Sequence, residues 1–412
     1  MQKITSIKGR LIYDSRGNKT IEVDVITDNK YVGRTSVPSG ASVGRNEVIN
    51  FPNGKPEQCL MAINDNYKKF LGIDPIDLKC IHDTIREIDN TDNYSNIGGA
   101  FAFAITIAAM ESASKFLHVP LFKILTNKPK LEFPIPLGNI LGGGLHAGIG
   151  TPDIQEILIC PHGSKSIRDA VEINFNVHKE LCNVLYEKNL NFTGGRSDEG
   201  GWAPEINNEE ALEASCKACE NLGYVLGKDV SLGIDLASST QWDPKCEQYI
   251  YKHNKLQLDE EKQIEFVSDL IERYKLIYVE DATHQDSFEA MHELTNKFPN
   301  VFITGDDLTT TNKRILSHAI KSKSCNAAIL KVNQAGSLYD ALQFAQHANE
   351  NDIKIITSHR SGETIDSQIV HIGISTGSKM LKIGVVGGER ISKINELIRL
   401  SEYDLIHGMT QL

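Results

Sequence analysis

No hydrophobic run in this chain is expected to cross a bilayer. Of the two charge-free windows, residues 133–152 hold three prolines and six glycines, which reads as loop. The apolar part of the other, residues 97–110, is only 14 residues, the length of a buried core helix. The first ten residues carry Lys3, Lys8 and Arg10 with no apolar block behind them, so no secretory signal is expected and the chain reads as cytoplasmic. Cations are also in deficit: 43 Lys and Arg against 54 Asp and Glu give a net charge of −11, which argues against a nucleic-acid or anionic-membrane surface. Low-complexity tracts and sequence repeats are absent, and 40% hydrophobic with 24% charged residues excludes disorder as a global state. The eight cysteines are scattered. Their one close pair, Cys216 and Cys219, falls in a helical stretch that suits neither a zinc site nor a redox pair.

What is present is a change of grammar part-way along. Ile21, Val23 and Val25 alternate with Glu22 and Asp24, and a turn at Asp28-Asn29 leads into a second strand, so an antiparallel, half-exposed sheet is expected. Residues 38–44, Pro-Ser-Gly-Ala-Ser-Val-Gly, are too small and permissive for regular structure and form a candidate mobile loop. Helical patterns then run from Pro56 to about His118. Prolines cluster between Thr126 and Pro136, which places a boundary between an α+β domain of residues 1–126 and a second domain of residues 127–412. In the second, short apolar runs alternate with helical stretches: 230–234, 276–279, 301–303, 327–330, 354–356 and 380–383. That spacing predicts an α/β barrel.

The chemistry stands at the ends of those runs. Asp235, Glu280 and Asp306 close three successive strands. Barrel strands end at one mouth, so these three acids surround one point, and oxygen-only ligands favour Mg²⁺ over zinc. Each alone would read as a helix cap. Lys331 ends the next run, where burial beside a cation would lower its pKa and suit it to general base work; an isolated lysine there would snorkel to solvent. His359, Arg360 and Lys382 follow on later strands and are suited to an anionic phosphate and carboxylate. Earlier come His146 in a glycine-rich stretch, Gln155-Glu156, and Glu199 ahead of two glycines. Two nearby carboxyls can share a proton, leaving one as a general acid, although Glu199 alone would read as a solvated loop residue.

These residues resemble the enolases over nearly the whole chain. The resemblance is carried by Asp14-Ser15-Arg16-Gly17-Asn18, the 38–44 loop, Asp198 to Pro204, Gly305-Asp306-Asp307-Leu308, Leu330 to Gln334 and Ser358 to Thr364, in that order. It implies a small N-terminal α+β domain followed by a TIM-like α/β barrel, and reversible dehydration of 2-phosphoglycerate to phosphoenolpyruvate with two Mg²⁺ ions. Asp235, Glu280 and Asp306 would bind the first ion and Ser42 the second. Lys331 would take the C2 proton, and Glu199, near Glu156, would protonate the leaving C3 hydroxyl. His146, His359, Arg360, Ser361 and Lys382 would surround phosphate and carboxylate, with Gln155 orienting them. A homo-oligomer, dimer or larger, is implied as well. The chain departs from the family pattern at Ala282-Thr283-His284-Gln285, at Val385-Val386-Gly387-Gly388, at Asn46, and in a longer loop between His146 and Glu156. Two rival readings are an enolase-derived binding or structural protein with little turnover, and a barrel lyase acting on an acid sugar. Retention of Lys331, Glu199, Lys382 and all three acids argues against the first, and the 38–44 loop with His359-Arg360-Ser361 against the second.

Overall fold

The computed structural model describes residues 2–41, 43–188 and 191–412. Ser42, the expected ligand of a second metal ion, lies outside the described residues.

The N-terminal domain opens on an antiparallel meander of β1 (Ile4–Tyr13), β2 (Lys19–Thr27) and β3 (Tyr31–Ser36). Asp28 and Asn29 both take positive φ, and the Lys30 amide closes the turn onto the Thr27 carbonyl at 3.0 Å. Ile21, Val23 and Val25 are fully buried, because the sheet packs against α3 (Gly99–Leu117), which follows α1 (Pro56–Asn66) and α2 (Leu78–Asp89). Helix α3 is apolar on nearly all sides, and the protein covers nearly all of them. Among the described residues it is the one helix long and apolar enough to cross a membrane, and it is the buried centre of this domain. Gly33 is what lets it lie so close to the sheet, since a Cβ there would stand 1.8 Å from the Ala108 carbonyl oxygen. The same core continues into Leu338, Ala341 and Phe344 of the second domain, so the two domains share it.

The second domain is a closed eight-stranded barrel: β4 (Ile135–Gly142), β5 (Glu156–Cys160), β6 (Ser231–Asp235), β7 (Tyr278–Glu280), β8 (Phe302–Gly305), β9 (Ala327–Leu330), β10 (Lys354–Ser358) and β11 (Met380–Lys382). Outside it lie α4 (Ile167–Lys188), α5 (Asn208–Asn221), α6 (Glu260–Tyr274), α7 (Phe288–Lys297), α8 (Lys313–Ser322), α9 (Leu338–Glu350), α10 (Gln368–Thr376) and α11 (Gly388–Leu400). Two expectations are corrected here. The Pro- and Gly-rich window expected to be loop contains β4, buried at every position. Its Pro136 carries no N–H to donate, and its carbonyl accepts from Asn174 on α4 at 2.9 Å. The repeated βα grammar also hides β5, which runs antiparallel to both neighbours, while the other barrel strands pair in parallel. All eight cysteines are free, Cys216 and Cys219 among them on α5.

Candidate active site

Because β6 and β7 are in register, with Glu280 opposite Asp235, their terminal carboxylates are neighbours by construction, and Asp306 follows one residue after β8. All three are buried. The reversal of β5 brings its first residue, Glu156, to the same mouth, opposite both Gly142 and Asp235. The sequence therefore delivers four carboxylates to one end of the barrel, three from strand ends and one from a strand start.

Two lysines neutralise part of that charge. Lys382 Nζ donates to Glu280 Oε2 at 2.7 Å and Asp235 Oδ2 at 2.8 Å, and lies 3.2 Å from Glu156 Oε1. Burial opposes its ammonium, but Asp235, Glu156 and Glu280 outweigh that and hold its pKa well above that of an ordinary lysine. Lys331 Nζ is ion-paired with Asp306, whose other oxygen accepts from Gln334 Nε2 at 2.9 Å. The expectation of a lowered Lys331 pKa is not met in this state. Burial pulls the ammonium down, yet Asp306 more than compensates and the net shift is upward.

The charge is still not balanced. Glu280 Oε1 is buried with no hydrogen-bond partner, and burial together with the Asp235 charge pushes the Glu280 carboxyl up to about 8. An orphaned buried acceptor among oxygen-only groups carrying excess negative charge is what a hard dication satisfies, so Asp235, Glu280 and Asp306 fit Mg²⁺. Asp281 and Asp307 stand beside Asp306 in a second acidic group. The Asp281 carboxylate is occupied in accepting the amides of Asp306 and Asp307 at 3.0 and 2.9 Å, which sets the turn that aims Asp306 inward.

Across the mouth, Glu199 accepts from His359 Nε2 at 3.2 Å and from Asn139 Nδ2 at 3.4 Å. His146 Nδ1 stands 3.6 Å from Glu156 and 3.7 Å from Glu199, between the two carboxylates. The two carboxyls are pushed in opposite directions. Glu199 lies well below the usual carboxyl range, because His146, His359 and Arg390 overcome its burial. Glu156 lies well above it, raised by burial and by the Glu199 charge, and its Oε2 has no partner. Glu156 is thus the harder of the two to ionise.

The remaining expected residues are in place but engaged. Arg360 is gripped by both oxygens of Glu47, at 2.9 and 3.2 Å, and by Asn333 Oδ1 at 3.2 Å. Ser361 Oγ accepts the Ala41 amide at 2.7 Å, and Gln155 Nε2 reaches Asp235 at 3.5 Å. The altered residues lie around this site: Gln285 Oε1 accepts the Arg45 amide at 3.1 Å beside the 38–44 loop, and His284 stacks on Trp242. Sequence reasoning missed Glu47, Asn139, Asn333, Gln334 and Arg390. Gln334 lay within a quoted motif, whereas Glu47 and Asn139 carry no local signal.

Lys331, the Glu156–Glu199 pair and the strand-end acids Asp235 and Asp306 line one cavity at the mouth of a barrel whose second strand is reversed. The sequence comparisons agree with that arrangement: residues 4–125 match the family described as "Enolase, N-terminal domain", and residues 130–407 match "Enolase, C-terminal TIM barrel domain". The chain belongs to the enolase family. It is 42% identical to the enolase of Methanosphaera stadtmanae over 411 residues, 99% of each chain. It is also 42% identical to that of Methanothermobacter thermautotrophicus over 401 residues, 97% of this chain and 96% of the relative. The enolase of Archaeoglobus fulgidus is 37% identical over 399 residues, 97% of each. The family thus spans both domains, and the site described above belongs to the enolase barrel.

Proposed function

We propose that this chain is a hydro-lyase that interconverts 2-phosphoglycerate and phosphoenolpyruvate, a step of glycolysis and gluconeogenesis, with Mg²⁺ held by Asp235, Glu280 and Asp306. The observation that carries the reading is that Lys331 and the Glu156–Glu199 pair line one carboxylate-rich cavity. The C2 proton of a carboxylate-bearing substrate is weakly acidic because its removal builds a second negative charge on the carboxylate. When held there by Asp235, Glu280 and Asp306, Mg²⁺ would supply Lewis-acid charge against that developing negative charge.

The protein's own residues do the rest. With the Asp306 charge that now holds its ammonium otherwise balanced, Lys331 would lose that proton to solvent and, as the free amine, take the C2 proton. Lys382 keeps Asp235 and Glu280 converged and adds fixed positive charge on the same side. The proton shared by Glu156 and Glu199 goes to the C3 oxygen as water departs. His146, Arg360 and Ser361 line the cavity with donors for phosphate beside His359, and Gln155 fixes Asp235.

The enclosed space is only ≈ 20 Å³, room for about one water, with Gly40 and Ala41 in its lining. Substrate entry therefore requires the 38–44 loop to leave its contacts with Ser361 and Gly362. Cleavage of that loop by a protease is expected to slow when 2-phosphoglycerate and excess Mg²⁺ are added together. Ser42→Ala is expected to lower turnover while sparing the first metal site, and unchanged cleavage with wild-type Ser42→Ala activity would mark the loop as a rigid turn.

Asp306→Asn is expected to weaken Mg²⁺ binding by at least about tenfold, since an amide oxygen lacks the full charge a hard cation prefers. Calorimetric titration of the apoprotein measures it, and unchanged affinity would remove Asp306 from the ligand set. A cytoplasmic location accords with eight free cysteines. A homo-oligomer, dimer or larger, accords with β1 as a sheet edge exposing Leu11 and Tyr13, and light scattering measures it. The direct test of the reading is ultraviolet absorbance of phosphoenolpyruvate formed from 2-phosphoglycerate and Mg²⁺. No absorbance change would favour a binding protein built on the enolase fold.

A further inference from the structure

We infer that Arg390 is a positioning residue that fixes His359 with its ring hydrogen on Nε2, aimed at Glu199; the inference rests on reading Glu199 and Glu156 as the proton-delivering pair. Arg390 is fully buried in the first turn of α11, yet its guanidinium is not paired mainly with an acid. One nitrogen donates to His359 Nδ1 at 2.8 Å and to the Arg360 carbonyl at 2.7 Å, and the other donates to the carbonyls of Ser361, at 2.8 Å, and Asp198, at 3.3 Å. It therefore joins the two loops that frame Glu199.

The tautomer follows from donor arithmetic. A guanidinium has five N–H donors and no acceptor, so the ring nitrogen it meets must be the bare one. Burial and the Arg390 charge lower His359 to about 4, so the ring is neutral and holds a single hydrogen. With Nδ1 bare, that hydrogen is on Nε2, which faces Glu199 Oε2 at 3.2 Å. The opposite tautomer would set a hydrogen against the guanidinium and a lone pair against the carboxylate, repulsive at both ends. The backbone is shaped for this side chain. Gly384, at φ +70°, runs beneath it, and a Cβ there would come within 3.2 Å of Arg390 Cγ and Cδ and 3.0 Å of the Glu199 carbonyl oxygen.

The test is ¹⁵N NMR of the full chain labelled at histidine, with the His359 signals assigned by their loss in His359→Gln. The two ring nitrogens are expected to read bare at Nδ1 and protonated at Nε2. Arg390→Met keeps the stem and loses every donor. It is expected to populate both tautomers and to slow dehydration by about 10- to 100-fold, the range typical when the partner orienting a functional histidine is removed. Arg390→Lys, which retains one charged donor, is expected to restore the tautomer and most of the rate. In a His359→Gln background, Arg390→Met is expected to cost nothing further.

A wild-type hydrogen on Nδ1 overturns the proposal. So does a folded Arg390→Met with an unchanged tautomer, or with an undiminished loss in the His359→Gln background. Should Arg390→Met not fold, the wild-type spectrum and Arg390→Lys decide. The spectrum needs no substrate, so it stands even if the chain proves not to dehydrate 2-phosphoglycerate.

Discussion

Lys331→Ala is expected to abolish phosphoenolpyruvate formation and C2 proton exchange together, each by roughly 100- to 10,000-fold, the range a general base supplies. The fold should survive, because Lys331 follows β9 at the mouth and is partly exposed, with its Nζ committed to Asp306 and not to the apolar core. Removing it leaves Asp306 with Gln334 as its remaining side-chain partner. Mg²⁺ should therefore bind the variant at least as well as the parent. Exchange of the C2 proton at the parent rate, read by loss of deuterium from labelled substrate, would exclude Lys331 as the base.

Glu199→Gln should separate the two halves of the reaction. Its amide occupies the same space but cannot relay a proton, so dehydration is expected to fall by roughly 100- to 10,000-fold while C2 exchange falls less than about tenfold. Glu156→Gln should share this signature, since it removes the other carboxyl of the pair, the one that burial and the Glu199 charge push upward. Dehydration at the parent rate in Glu199→Gln, with collapse in Glu156→Gln alone, would make Glu156 the acid that meets the substrate. Equal loss of exchange and dehydration in both would mean that base and acid do not act separately.

Much of this was legible in the sequence, for physical reasons that also explain the gaps. Asp235, Glu280, Asp306 and Lys331 could be found because a charge ending an apolar run is locally anomalous, and barrel geometry alone brings such ends together. Strand β4 was unreadable because Pro136 and Gly138 break the pattern of a strand, and only closure of the barrel repays their use. Strand β5 could be missed because reversal of direction leaves no trace in composition. Protonation was beyond reach for a related reason. The opposite shifts of Glu156 and Glu199 depend on His146, His359 and Arg390, which approach Glu199 from two separate loops and a helix, and on Lys382 beside Glu156.

The reversed strand has a consequence for how such a site changes over evolutionary time. In an all-parallel barrel, every mouth residue is separated from the next by a helix, so altering a site requires independent changes scattered along the gene. Here the end of β4 and the start of β5 face the same opening and are joined directly by residues 143–155. His146, Gln155 and Glu156 thus travel as one contiguous cassette, inherited or exchanged in a single event. The acids on β6, β7 and β8 remain on separate units. Recombination at this one hairpin would retune the proton-delivering side of the chamber while leaving the cation-suited side intact.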